Sequence, residues 1–282
     1  MLFTKFAAKE LSLAVLLIVG ATASRTEAAG ISWFKDLGKA SEVARKTNQP
    51  MMIEFWADWC AACKEMEEQV YSDPKLVAAI SERVIPVRVH FDLQSDLAKK
   101  YNVPALPYLV FTSSNGAELM HHRGTLNVGD LTALIKAFPA DVSELNRLDR
   151  VLQEDKDHSE PMIAMGRELR TTGFFESSNR YYSRAIKQED AKKDPAKREL
   201  ILLAMGLNFL DLQEAKQATD IFERCLKEFP QSSNKPDSLL NLARSYILSE
   251  QKAKARKSLV TLIDDFPQSD ASRKAQILMK SL

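Results

Sequence analysis

The sequence predicts an α/β domain, a mixed sheet flanked by helices, followed by an all-α domain built from helical repeats. Three observations predict it. Short apolar runs of strand length alternate with helix-forming runs up to Pro139. Beyond Pro139 the strand signals stop and a helical period takes over. Within that second half, segments ending at Pro230 and Pro267 repeat each other at a distance of 37 residues. Composition agrees: 282 residues, 45% hydrophobic and 27% charged, are those of a globular protein of more than one domain. The 39 basic and 38 acidic residues are intermixed, giving net charge +1. That leaves no electrostatic footprint for nucleic acid and no basic tract for anionic lipid.

Residues 1–23 read as an export signal. Lys5 and Lys9 are basic, Leu11–Val19 is apolar apart from Ser12, and Ala21-Thr22-Ala23 offers small residues at the cleavage point. The stretch Leu11–Ala23 is shorter than the roughly 20 residues a bilayer core requires, so no span is expected after cleavage. A retained anchor is the competing reading, because Glu10 sits at the boundary. The α/β domain is then 24–139, a linker helix 140–160, and the repeat domain 161–282.

Met51–Trp56 is a strand-length apolar run, and Ala61–Val70 is rich in helix formers. Between them lies Trp56-Ala57-Asp58-Trp59-Cys60-Ala61-Ala62-Cys63-Lys64, which puts Cys60 at the start of a helix. Unpaired backbone N–H groups and the positive dipole end favour a thiolate there. The thiolate is the attacking species in disulfide exchange, so Cys60 is the expected nucleophile. Cys63, one turn further on and more buried, suits the resolving role. An inert structural disulfide and half a zinc site are the alternatives; only Cys225 and scattered histidines remain as further ligands, and no metal or other cofactor is expected. Haem attachment requires histidine directly after the second cysteine, where Lys64 stands.

Later in the domain, Tyr108–Phe111 is strand-like and follows Leu106-Pro107, and Glu118–Arg123 alternates up to Gly124, so His121 and His122 face opposite ways. Taken with the dithiol, Glu54 six residues before Cys60, Ser72-Asp73-Pro74, and Pro107 forty-four residues after Cys63, the block Met51–Pro107 resembles a thioredoxin fold. More narrowly, Ala-Asp-Trp-Cys-Ala-Ala-Cys-Lys-Glu-Met-Glu with Tyr-Ser-Asp-Pro is similar to the C-terminal periplasmic domain of DsbD-type thiol:disulfide interchange proteins, over roughly residues 31–138. The resemblance implies that Cys60 and Cys63 are the redox pair and that Pro107 is a cis-proline facing them. It also implies that Trp59, Leu106, Pro107 and Tyr108 contact substrate, and that Glu54 and Glu67 are the acids serving the resolving thiol. Glu54 stands where these proteins more often carry Asp, and Tyr108 where they carry Thr. A solvated helix face is the bland reading of Glu67, which lies among Glu65 and Glu68.

Asp141–Gln153 is expected to be a helix bridging the two halves. Counting back from Pro230 gives Leu202, Met205-Gly206, Phe209, Ala218, Phe222 and Cys225; from Pro267 it gives Leu239, Leu242-Ala243, Tyr246, Ala255, Leu259 and Leu262. A weaker copy runs through Met162, Met165-Gly166, Leu169, Ser178, Tyr182 and Ala185, and Ala271–Leu282 is expected to close the stack. These spacings resemble tetratricopeptide repeats, which implies a groove for a partner; a plain helical bundle is the alternative. Gln188–Lys197, rich in Lys and Asp, is expected to be an exposed loop, and Cys225 core packing.

The expected function is an extracytoplasmic, most simply periplasmic, thiol:disulfide oxidoreductase acting on substrate proteins with disulfides. The resemblance implies recharging by a membrane electron donor of the DsbD type, with the repeats docking a protein or peptide. Ala61-Ala62 carries no histidine to stabilise a reduced thiolate, which tilts the expectation toward a reductase. Two alanines do not fix a potential that ranges from about −270 to about −120 mV in this fold. The rivals are a repeat adaptor with a thioredoxin-like docking module, and a dithiol oxidase or isomerase.

Overall fold

A computed structural model describes residues 30–282; the expected export signal lies outside the described residues. In chain order the first part comprises α1 (Leu37–Thr47), β1 (Met51–Trp56), α2 (Ala61–Gln69), α3 (Pro74–Arg83), β2 (Ile85–His90), α4 (Ser95–Lys100), β3 (Tyr108–Thr112), β4 (Glu118–Arg123) and α5 (Val128–Ala137). The second part is helical throughout: α6 (Ser143–Glu154), α7 (Ser159–Thr171), α8 (Phe175–Ala185), α9 (Glu189–Lys193), α10 (Pro195–Asp211), α11 (Ala215–Glu228), α12 (Lys235–Leu248), α13 (Lys252–Asp265) and α14 (Asp270–Met279).

The four strands form one mixed sheet in the order β2-β1-β3-β4, with β1 and β2 parallel and the other pairs antiparallel. Strand alternation divides the side chains between two cores. Met51, Ile53, Phe55, Ile85, Val87 and Val89 face α1 and α4, while Met52, Leu109 and Phe111 face α2, α3 and α5. The helix starts follow local chemistry. Asp73 caps α3 by accepting from the Lys75 and Leu76 N–H groups at 2.8 and 3.1 Å, and Pro74 occupies the first helical position, where its missing donor costs nothing.

Change of period near Pro139 is not a break in packing. One hydrophobic core runs from Met52 through Leu131 and Ile135, then Leu145, Leu148 and Leu152 of α6, to Leu169, Tyr182 and Ile201. Phe138 stacks on Phe111 of the sheet at 4.4 Å and meets Phe174 at 4.8 Å, so three rings join sheet, α5 end and the α7–α8 turn. The bridging helix is fastened as well: the Val142 N–H donates to the Asn48 carbonyl at 2.8 Å, and Asn146 Oδ1 accepts from the Ser114 N–H at 3.0 Å.

The repeats pack by close approach of paired helices. A Cβ on Gly166 would lie 2.9 Å from the Tyr182 ring, and one on Gly206 would lie 2.7 Å from the Phe222 ring. In the next pair the same places hold Ala243 and Leu259, both buried: the smaller Leu admits the methyl group. Gln188–Lys197 departs from the expected exposed loop. Its middle is α9, because Ala191 is fully buried and Asp190 accepts from Ser159 Oγ at 2.5 Å while pairing with Lys197 at 3.0 Å. Cys225 is buried in α11, and burial pushes its thiol up to about 12, which makes it inert packing. Among the described residues no helix is long and apolar enough to cross a membrane.

Candidate active site

Cys60 is the N-cap of α2, in extended conformation, and its sulfur accepts from the Cys63 N–H at 3.1 Å. The first turn of α2 thus aims a backbone donor at the Cys60 sulfur, the arrangement that favours negative charge. Cys60 and Cys63 are joined as a disulfide, S–S 2.10 Å. Both are buried, Cys60 at 5% and Cys63 at 1% exposure. Ala57, Trp56, Ala62, Phe91 and Leu106 pack around the pair. Leu106-Pro107 is a cis peptide bond; Pro107 is buried and Leu106 half-buried against the dithiol cluster. Trp59 stands 63% exposed beside it, held by its indole N–H donating to Asp92 Oδ2 at 2.8 Å and by an edge contact with Phe91. Tyr108 is placed differently from a substrate-contacting side chain: its ring is buried and stacks on His121 at 5.3 Å, behind the loop.

The two acids meet through a residue that sequence reasoning did not single out. In the parallel register Glu54 of β1 lies opposite Arg88 of β2, and Arg88 Nε comes within 2.8 Å of Glu54 Oε2. The other arm of the same guanidinium forms an ion pair with Glu67 on α2. Arg88 lies over the Trp56 ring at 4.5 Å and the Trp33 ring at 5.6 Å, so its charge is held between two indoles. The Glu54 carboxyl is completely buried, with the Tyr71 hydroxyl beside it. Burial pushes Glu54 up to about 7, partly opposed by Arg88. A carboxyl poised there can accept a proton near neutral pH and give it up again. Among the described residues no hydrogen bond or ion pair joins Glu54 or Glu67 to a sulfur in this oxidised state.

Arg88 had a signal in the sequence, a lone cation inside the apolar run Ile85–Val89, but only the strand register shows which acid it meets. His90 likewise finds a partner, its Nε2 lying 3.3 Å from Asp58 Oδ2.

Residues 37–139 match the family described as a thioredoxin-like domain, and residues 201–232 and 237–269 match the tetratricopeptide repeat. The thiol:disulfide interchange protein DsbD of Pectobacterium atrosepticum is 30% identical over 124 residues, which are 42% of this chain and 22% of that protein. A protein disulfide-isomerase of Schizosaccharomyces pombe is 26% identical over 141 residues, 46% of this chain and 39% of that one. The chain thus spans well under half the length of these curated relatives. Among solved structures, the oxidised C-terminal domain of DsbD from Neisseria meningitidis is 18% identical with TM-score 0.33, covering 37% of this chain and 97% of that domain.

Proposed function

We propose, from a chain that joins a thioredoxin-like domain to tetratricopeptide repeats, that this protein reduces disulfides in substrate proteins outside the cytoplasm. The observation that carries the reading is a dithiol whose first sulfur caps a helix N-terminus while the second lies buried one turn along. The Cys60 thiolate attacks a substrate disulfide, forming a mixed disulfide and expelling one substrate thiolate. The Cys63 thiolate then attacks Cys60 Sγ, forming the Cys60–Cys63 bond and expelling the second substrate thiolate. Two electrons pass to the substrate, and the protein is left oxidised. Glu54, poised at about 7, takes up the proton that Cys63 must lose, and Arg88 with Glu67 holds it in place. Trp59 and Leu106 offer apolar contact to the segment flanking the substrate disulfide.

Return to the reduced state requires a dithiol donor, for which a membrane carrier of the DsbD type is the fitting class, as the likeness to DsbD and the sequence reading of an export signal suggest. The repeats present a cleft of about 520 Å³ with Leu207, Leu240, Ile277 and Leu278 in its walls and Asp237, Arg244 and Lys274 at its side, suited to a protein segment with apolar and charged side chains. The test is Cys63→Ser. This variant is expected to accumulate a mixed disulfide through Cys60 when a disulfide-bearing protein is added; absence of any adduct, with insulin reduction unaffected, contradicts the assignment.

A further inference from the structure

The sheet ends on β4, an edge strand that also backs the Leu106-Pro107 loop leading into β3. The Gly124 N–H, just past β4, donates to the Pro107 carbonyl at 2.9 Å, and Tyr108 pairs with Arg123 in register. The Tyr108 ring stacks on His121 of β4, and His121 Nδ1 lies 2.8 Å from Glu118 Oε1. Glu118 is paired in turn with Arg180 of α8 at 3.0 Å, and Arg180 also donates to Ser177 Oγ at 2.7 Å. Ser177 is buried and its hydroxyl donates to the Leu119 carbonyl on β4. The first repeat pair therefore grips the edge strand by side chain and by backbone. An unbroken series of contacts then leads from it to the loop beside the dithiol.

We propose that Arg180 is a positioning residue: through Glu118, His121 and Tyr108 at the start of β3, the repeat domain fixes the preceding Leu106-Pro107 segment in the conformation that receives a protein disulfide. The proposal rests on the reductase reading, since it assigns the loop to substrate. It makes the repeats part of the site's construction as well as a docking module. Small disulfides, which make no use of the loop, should not sense Arg180. Glu118 is 22% and Arg180 44% exposed, which limits what their pairing contributes. The expected effect is accordingly small, about three-fold in KM.

Full-length oxidised and reduced protein is used for the test, with insulin and hydroxyethyl disulfide as substrates and dithiothreitol as the recycling reductant. Arg180→Ala and Glu118→Gln should each raise KM for insulin about three-fold, leave kcat and the hydroxyethyl disulfide rate within error, and fail to add in the double variant. Arg180→Lys, which retains the charge, should restore most of the loss. Amide hydrogen exchange across residues 106–124 should quicken in Arg180→Ala. An unchanged KM, or equal losses on both substrates, overturns the proposal. Unchanged exchange overturns it whether or not insulin is reduced. A wild type that cannot reduce insulin, with exchange still responding to Arg180→Ala, overturns the reductase reading and supports the contact series.

Discussion

Replacing Glu54 with Gln removes a buried proton-binding group while keeping its shape, and the consequence has a definite sign. Burial sets the folded carboxyl at about 7, against 4.5 for an unperturbed one. Between those pH values the folded chain holds one proton more than the unfolded chain. The stability contributed by this group is therefore full below about pH 4.5 and is lost as the pH rises to about 7. At about 1.4 kcal/mol per pH unit the loss is about 3 kcal/mol. The oxidised protein is the right sample, because disulfide-bonded cysteines do not titrate. Urea unfolding of wild type and Glu54→Gln across this window should show wild type losing about 3 kcal/mol relative to the variant as pH rises. In the reduced protein with Cys63 intact, the same substitution should slow resolution of the transient mixed disulfide at neutral pH by about a hundredfold in rapid-quench experiments, while leaving the first attack by Cys60 intact. Parallel stability profiles would refute the buried proton, and an unchanged release rate would refute its use in resolution.

Arg88→Ala should leave Glu54 without its cation and hold it protonated to higher pH, so the variant's loss of stability should be greater at pH 8 than at pH 5.5 by about 1.4 kcal/mol, the one pH unit by which pH 8 exceeds Glu54's value of about 7; the same urea series at the two pH values measures it. Gly206→Ala should destabilise the repeat stack by about 1–3 kcal/mol, because its methyl meets the Phe222 ring. Adding Phe222→Leu should recover part of that loss by copying the Ala243–Leu259 packing of the next pair, read by thermal unfolding followed by circular dichroism.

Much of the fold was legible because its signals are local. A C-x-x-C ahead of a run of helix formers specifies a sulfur at a helix start, and Asp73-Pro74 specifies the start of α3. The repeats were legible because each pair buries equivalent positions, so Leu202, Gly206, Phe222 and Cys225 find counterparts 37 residues on. What stayed hidden depends on register and on contacts between distant segments. Arg88 meets Glu54 only because β1 and β2 are parallel and in that register, and it reaches Glu67 only because α2 lies over that face. The buried placing of Tyr108 follows from strand alternation together with a histidine on the neighbouring strand. The shared core across Pro139 was equally hidden. Leu145, Leu148 and Leu152 read as one side of an ordinary amphipathic helix, and nothing local says that their partner is a sheet. Short α9 was obscured by its own charges, since Lys and Asp surround the single buried Ala191.

Everything chemical in this account depends on a reactive thiolate at Cys60, and site-resolved alkylation of the reduced protein tests it most directly. Iodoacetamide labelling rates for Cys60 and Cys63, followed by mass spectrometry from pH 4 to 10, should show Cys60 reacting with a midpoint clearly below about 8.5 and Cys63 lagging far behind it. Equal, slow labelling of both sulfurs with midpoints at or above that value would contradict it.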